Sequence, residues 1–157
     1  MKKIKNVLVP TDFSSLSLAA YRYVVASAEL RGACVYLMNV LEALQVHAFP
    51  QTDLYSGIVL DECMQNASRK LHRLLSRSSK GAKRAFPVVR QGEASGEIVR
   101  FAREKKIDLI VMATHGRTGL AHLVMGSIAE QVVRHSPVPV LLVKPKKTKR
   151  ELGRKGS

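Results

Sequence analysis

Residues 112–130 read MATHGRTGLAHLVMGSIAE. The stretch leaves the end of an apolar run (107–113, IDLIVMA), crosses a loop that holds Gly116, Gly119 and Gly126, and enters a helical pattern at Ser127. Strand, glycine-rich loop and helix in that order form the repeating unit of an α/β protein. They also make a setting for an anion. Gly116 and Gly119 let backbone amides come close to a bound group and admit positive φ. Gly126 and Ser127 open a helix whose amides and dipole favour negative charge. Arg117 adds a charge-assisted contact. The same residues have a purely structural use. Ser127 and Glu130 have the spacing of a capping box, in which they satisfy the helix amides themselves.

The alternation repeats on both sides of this stretch. Residues 4–9 (IKNVLV) read as a short buried strand ending at Pro10. Residues 14–31 have helical spacing, with Leu16, Ala20, Val24, Ser27 and Leu30 on one face, Ser14 or Ser15 as cap and Gly32 as stop. Residues 34–41 (CVYLMNVL) are a second strand, and 42–56, without period, a loop. A helix is expected over 57–78, with Leu60, Met64, Ala67, Leu71 and Leu74 inward and Arg69, Lys70, Arg73 and Arg77 on a solvated face. Residues 85–90 (AFPVVR) form a strand that Pro87, unable to donate to a ladder, places at a sheet edge. A helix over 95–106, a strand over 107–113, a helix over 127–135 and a last strand over 138–143 (VPVLLV) complete the chain. Strand and helix in strict alternation imply a parallel sheet with helices on both faces. The near-continuous apolar strands agree, since such a sheet is covered on both sides.

Composition sets bounds. The chain of 157 residues, 46% hydrophobic, suits one domain with a core of its own. No tryptophan and an aromatic content of 5% weigh against a stacking platform for single-stranded nucleic acid. Cys34 and Cys63 lack disulfide-framework or zinc spacing and read as buried, inert thiols in a reducing compartment. The apolar start of the chain is cut short by Pro10 and Asp12, too soon for a signal peptide. No run approaches the roughly 18 apolar residues of a membrane span. A cytoplasmic location is therefore expected. The net charge is +14, of which residues 144–157 carry +6. Residues 146–157, basic and without hydrophobic pattern, read as a disordered tail behind a domain over 1–145. The tail is either a solubilising end or an electrostatic arm for nucleic acid, anionic lipid or an acidic partner.

Three segments together, VLVPTDFS (7–14), ATHGRTG (113–119) and GSIAEQVVRHSPVPVLLVK (126–144), resemble the universal stress protein family. The resemblance covers residues 3–145. It implies a Rossmann-like fold with a single open five-stranded parallel sheet of order 3-2-1-4-5, in which strands one and four lie side by side and their loops meet at one crevice. The family's ATP-binding members carry Gly-x2-Gly-x9-Gly-Ser/Thr. That frame falls here on Ala113, Gly116, Gly126 and Ser127, with alanine in the place of the first glycine. Position by position, the resemblance implies Pro10, Asp12 and Val40 on the adenine and ribose side and Met112 and Ala113 in the pocket lining. Gly116, Gly126, Ser127 and Ile128 would hold the phosphates. Asp12 has a plainer alternative as cap of the first helix.

The implied ligand is ATP, with Mg2+ as its companion ion. The implied assembly is a homodimer through residues 138–143, whose apolar edge invites pairing with another chain. Function is then that of a stress-response or regulatory protein, a nucleotide-dependent dimeric switch. The alternative is a nucleotide-independent interaction module working through its basic surface and tail. No Walker A lysine, GxSxG elbow or HExxH pair is present, and the five histidines, His47, His72, His115, His122 and His135, show no ligand spacing. A dedicated enzyme is not expected; the resemblance allows at most weak ATP hydrolysis.

Overall fold

The computed structural model describes residues 3–27, 30, 32–42, 53–78, 84–114 and 125–144. The elements run β1 (Asn6–Pro10), α1 (Ser17–Ala26), β2 (Cys34–Leu41), α2 (Asp53–Ser78), β3 (Arg84–Gln91), α3 (Ala94–Glu104), β4 (Leu109–Ala113), α4 (Ser127–His135) and β5 (Val140–Val143). The strands form one five-stranded sheet of order β3-β2-β1-β4-β5, every neighbouring pair parallel. This is the expected open α/β architecture.

Side chains alternate through the sheet, as the pleat demands. Val7 and Val9 of β1 and Val111 of β4 enter one core cluster, with Tyr21 and Val24 of α1 and Leu71 and Leu75 of α2. Leu8 and Ile110 enter the other, with Ile98, Phe101 and Ala102 of α3 and Ala129 and Val132 of α4. Both faces are thus apolar, which is why the strands read as unbroken hydrophobic runs. Pro87 sits on the edge strand β3, as expected.

Several boundaries differ from the sequence pattern, those of α1 and α3 for a local reason. The first helix begins at Ser17 rather than at 14, and ends at Ala26 rather than 31. Thr11 Oγ1 accepts from Phe13 N (3.0 Å) and Asp12 Oδ1 from Ser14 N (3.0 Å), while Phe13 takes φ +65°. These side-chain bonds hold the backbone in a turn that competes with helix. The Asp12 carboxylate therefore braces this turn; Leu16, at the N-cap position, makes no side-chain cap bond, and the Ser14 hydroxyl accepts from Ser17 N (3.1 Å), the first amide of α1. Helix α2 starts at Asp53, inside the expected loop. Helix α3 starts at Ala94 because Glu93, not a serine, accepts from Ser95 N (2.9 Å) and Gly96 N (2.6 Å). Strands β4 and β5 start two residues late, at Leu109 and Val140. Residues 43–52, the glycine loop with Gly116, Arg117 and Gly119, His47, His115 and His122, and the tail 146–157 lie outside the described residues. Among the described residues no helix is long and apolar enough to cross a membrane.

Candidate functional site

Strands β1 and β4 are neighbours, and the chain leaves them in opposite directions across the sheet, β1 toward β2 and β4 toward β5. Such a reversal opens a crevice beyond the carboxyl ends of the two strands. A cavity of about 500 Å3 lies there, within the roughly 300–1,000 Å3 typical of small-molecule sites. Pro10, Asp12 and Val40 line it from β1 and β2, Met112 and Ala113 from β4, and Gly126, Ser127 and Ile128 from α4. Eight of the ten expected site residues thus meet at one cavity; the other two, Gly116 and Arg117, lie outside the described residues.

The loop after β1 is held from beneath by β2. Thr11 N donates to Met38 O (2.8 Å), and Asn39 Nδ2 donates to Thr11 O (2.8 Å). The Thr11 and Ser17 hydroxyls are hydrogen-bonded at 2.9 Å, and the Ser17 hydroxyl donates to Ser14 O (3.1 Å). Asn39 is buried, at 5% exposure, and its Oδ1 has no partner. It is the one polar side chain on an otherwise apolar strand, and its use is to fix the turn that presents Asp12. Sequence pattern missed it because it interrupts neither the length nor the hydrophobic character of the run.

The opposite wall is the start of α4. Gly126 N donates to Thr114 O (2.7 Å), and Thr114 N to Val143 O (3.2 Å), which ties the helix start to the ends of β4 and β5. Gly126 is the N-cap, with extended backbone (φ −72°, ψ 152°), and among the described residues no side chain caps the helix. The capping box offered by the sequence is not made. The Glu130 carboxylate instead pairs with Arg134 one turn on, at 3.0 Å. Gly126, Ser127 and Ile128 line the cavity, and among the described residues no side chain takes the amides of this first turn, a setting in which amides and dipole favour an anion. Ala113 ends β4 in register with Val143. Among the described residues only Phe13 and Lys106 are non-glycine residues with positive φ. The backbone at 113 therefore makes no demand that alanine fails to meet.

Helix α2 contributes residues that pattern reading placed elsewhere. Lys70, assigned to a solvated face with Arg69, Arg73 and Arg77, lines the cavity, its Nζ 5.3 Å from the centre of the Phe13 ring. Cys63, expected to be buried and inert, is half-buried and lines the cavity as well. Cys34 is likewise half-buried. With Asp12 and Glu42, Lys70 makes up the ionisable charge among the described lining residues. No group of three or more histidine, cysteine or acidic side chains able to hold a metal occurs among the described residues.

Comparison with known proteins agrees with this geometry. Residues 3–144 match the model of the universal stress protein family. The chain is 35% identical over 146 residues to universal stress protein MJ0531 of Methanocaldococcus jannaschii, covering 91% of this chain and 84% of that one. The solved structure of MJ0577 from the same organism superposes with a TM-score of 0.82 at 27% identity, over 94% of this chain and all (100%) of that one. A universal stress protein solved in complex with cAMP superposes with a TM-score of 0.59 at 25% identity, over 91% of this chain and 98% of that one. Sequence match and strand order lead to one family, and the chain belongs to the universal stress proteins.

Proposed function

We propose that this protein binds an adenine nucleotide, ATP, in the cavity between the β1 and β4 loops and acts as a nucleotide-dependent dimeric switch in a cytoplasmic stress response. The observation that carries the proposal is that the N-terminus of α4, with no side-chain cap among the described residues, lines the same cavity as the Asp12 turn. One end offers amides to phosphate; the other offers a carboxylate and the backbone at Val40 to ribose and base. The solved relative in complex with cAMP supports the class of ligand.

In this proposal Asp12 accepts from the ribose, and Pro10 and Val40 border the base. Met112 and Ala113 line the middle of the cavity. Gly126, Ser127 and Ile128 hold phosphate through amides and the Ser127 hydroxyl, with Gly116 and Arg117 joining from the glycine loop. Mg2+, held by ATP itself, would shield the phosphate charge. The residues act by binding and orientation; no general base is assigned, and any hydrolysis is slow.

Dimerisation through β5 fits the two edges of the sheet. Edge β3 carries Pro87, Arg84 and Arg90, devices that discourage pairing. Edge β5 is VLLV, without charge or proline, and half-buried along its length. A second β5 would cover it.

The test is nucleotide extraction from freshly purified protein together with titration of wild type and Gly126→Asp. Gly126 has backbone angles open to any residue, and aspartate is a favoured N-cap, so the variant keeps or gains up to a few tenths of a kcal/mol, about the Gly-to-Asp difference at caps. Its carboxylate repels phosphate from the same amides. Bound adenine nucleotide in wild type, and its loss in a fully folded variant, is the expected outcome. Wild type that carries no adenine nucleotide and binds none at millimolar concentration overturns the proposal.

A further inference from the structure

We infer that α2 forms the wall against which the nucleobase lies, and that the small side chains of Cys63 and Ala67 set the depth of the base slot. The inference rests on the cavity being a nucleotide site and adds an element that the loop motifs do not include.

Cys63, Ala67, Leu71 and Leu75 recur at intervals of four, so they lie in one row along the helix. Leu71 and Leu75 are buried and fill the core beside Tyr21 and Val24. One and two turns earlier the same row holds alanine and cysteine, and there the core gives way to the cavity. Leucine at those two positions would continue the packing into the space now empty. The cavity therefore exists at this wall because of side-chain size.

The surroundings of the row suit a flat ring. Ala67 is 4% exposed and Cys63 half-buried, so the wall itself is closely packed and weakly polar. Ala94 and Ile98 of α3 also line the cavity with apolar surface. Asn66 and Lys70, at the neighbouring i+3 positions of the row, line it too. A carboxamide carries two N–H donors and an acceptor, the complement that a heteroaromatic edge requires. An apolar slot with few polar groups at its rim is the ordinary form of a small-molecule site. Phosphate is governed by a different element, the start of α4. Recognition of ring and of phosphate is thereby divided between α2 and α4.

The division is tested on the wild-type chain by its two thiols. Cys34 opens β2, at the end of the strand remote from the cavity, and serves as internal reference. N-ethylmaleimide labelling is followed by site-resolved mass spectrometry with ATP, with inorganic tripolyphosphate, and with neither. ATP is expected to slow labelling of Cys63 in step with occupancy measured by titration. Tripolyphosphate, which has no ring, leaves Cys63 at its full rate, and Cys34 is indifferent to both. In parallel, Ala67→Leu is expected to weaken ATP by roughly tenfold to a hundredfold, the scale of overpacking a filled site. Full-rate labelling of Cys63 in protein that titration shows to be saturated with ATP overturns the inference while leaving the nucleotide site standing. Protection by tripolyphosphate equal to that by ATP overturns it as well. Failure of wild type to bind ATP at all is visible in the titration and overturns the functional proposal together with it.

Discussion

The Glu93 carboxylate accepts from Ser95 N, from the Ser95 hydroxyl (2.7 Å) and from Gly96 N, and so starts the helix whose Ala94 and Ile98 line the cavity. Those hydrogen bonds, the Ser95 hydroxyl first, favour the charged form and hold its pKa below the ordinary 4.5. A carboxylate with a depressed folded pKa stabilises above its unfolded value, and the contribution is lost as pH falls through the folded value. Wild type should therefore lose thermal stability below pH 4.5 more steeply than Glu93→Gln, read as Tm against pH. At neutral pH, Glu93→Ala should cost about 1 kcal/mol, the usual worth of a cap. This side chain illustrates what residue-level reading omits. Asp12, Met112 and Gly126 stand in recognisable segments. Glu93 and Asn39 carry no motif, since a glutamate cap and a buried amide are defined by the backbone groups they meet.

At the scale of elements, type and order were readable, and so were the bounds of β2 and α4, whereas the starts of α1, α2, α3, β4 and β5 were not. Apolar runs of strand length and stretches of helical period follow from burial on two faces or on one stripe. The start of α1 depended on bonds from Thr11 and Asp12 to amides two residues on, which no periodicity reports. The charge on α2 shows the same limit. Arg69, Arg73 and Arg77 are exposed as expected, but Lys70, also exposed, lines the cavity, a neighbour that helical period does not report. The unblunted edge belongs to this scale too. Leu142→Lys places a charge on the β5 edge and is expected to convert a dimer to a monomer in solution, measured as mass by light scattering across concentrations. A dimer that persists in a folded Leu142→Lys variant shows that β5 is not its interface.

For the whole molecule, nucleotide binding and stability are linked. A ligand at about a hundred times its Kd stabilises the native state by roughly 2.7 kcal/mol. For a chain of this size each kcal/mol moves Tm by about 2–4 °C, so ATP should raise it by roughly 5–10 °C. Gly126→Asp should show none of that rise. The basic tail enters separately. Removing residues 146–157 takes away a net charge of +5 and is expected to leave ATP affinity unchanged. If the chain contacts nucleic acid through this tail, the same truncation flattens the salt dependence of that binding.

Local pattern was enough for the alternation of strand and helix, for a parallel sheet covered on both faces, and for two loops able to hold a charged ligand. Each of these follows from hydrophobic period, glycine and capping chemistry within a few residues of chain. The cavity needed three dimensions. Its walls come from β1, β2, α2, α3, β4 and α4, and which of these meet depends on a strand order set by packing between distant segments. The choice between capping box and free amides at α4 was also tertiary. Glu130 had two partners within reach of its spacing, the helix start behind it and Arg134 ahead, and in the fold it turns to Arg134, so that among the described residues no side chain caps the helix start.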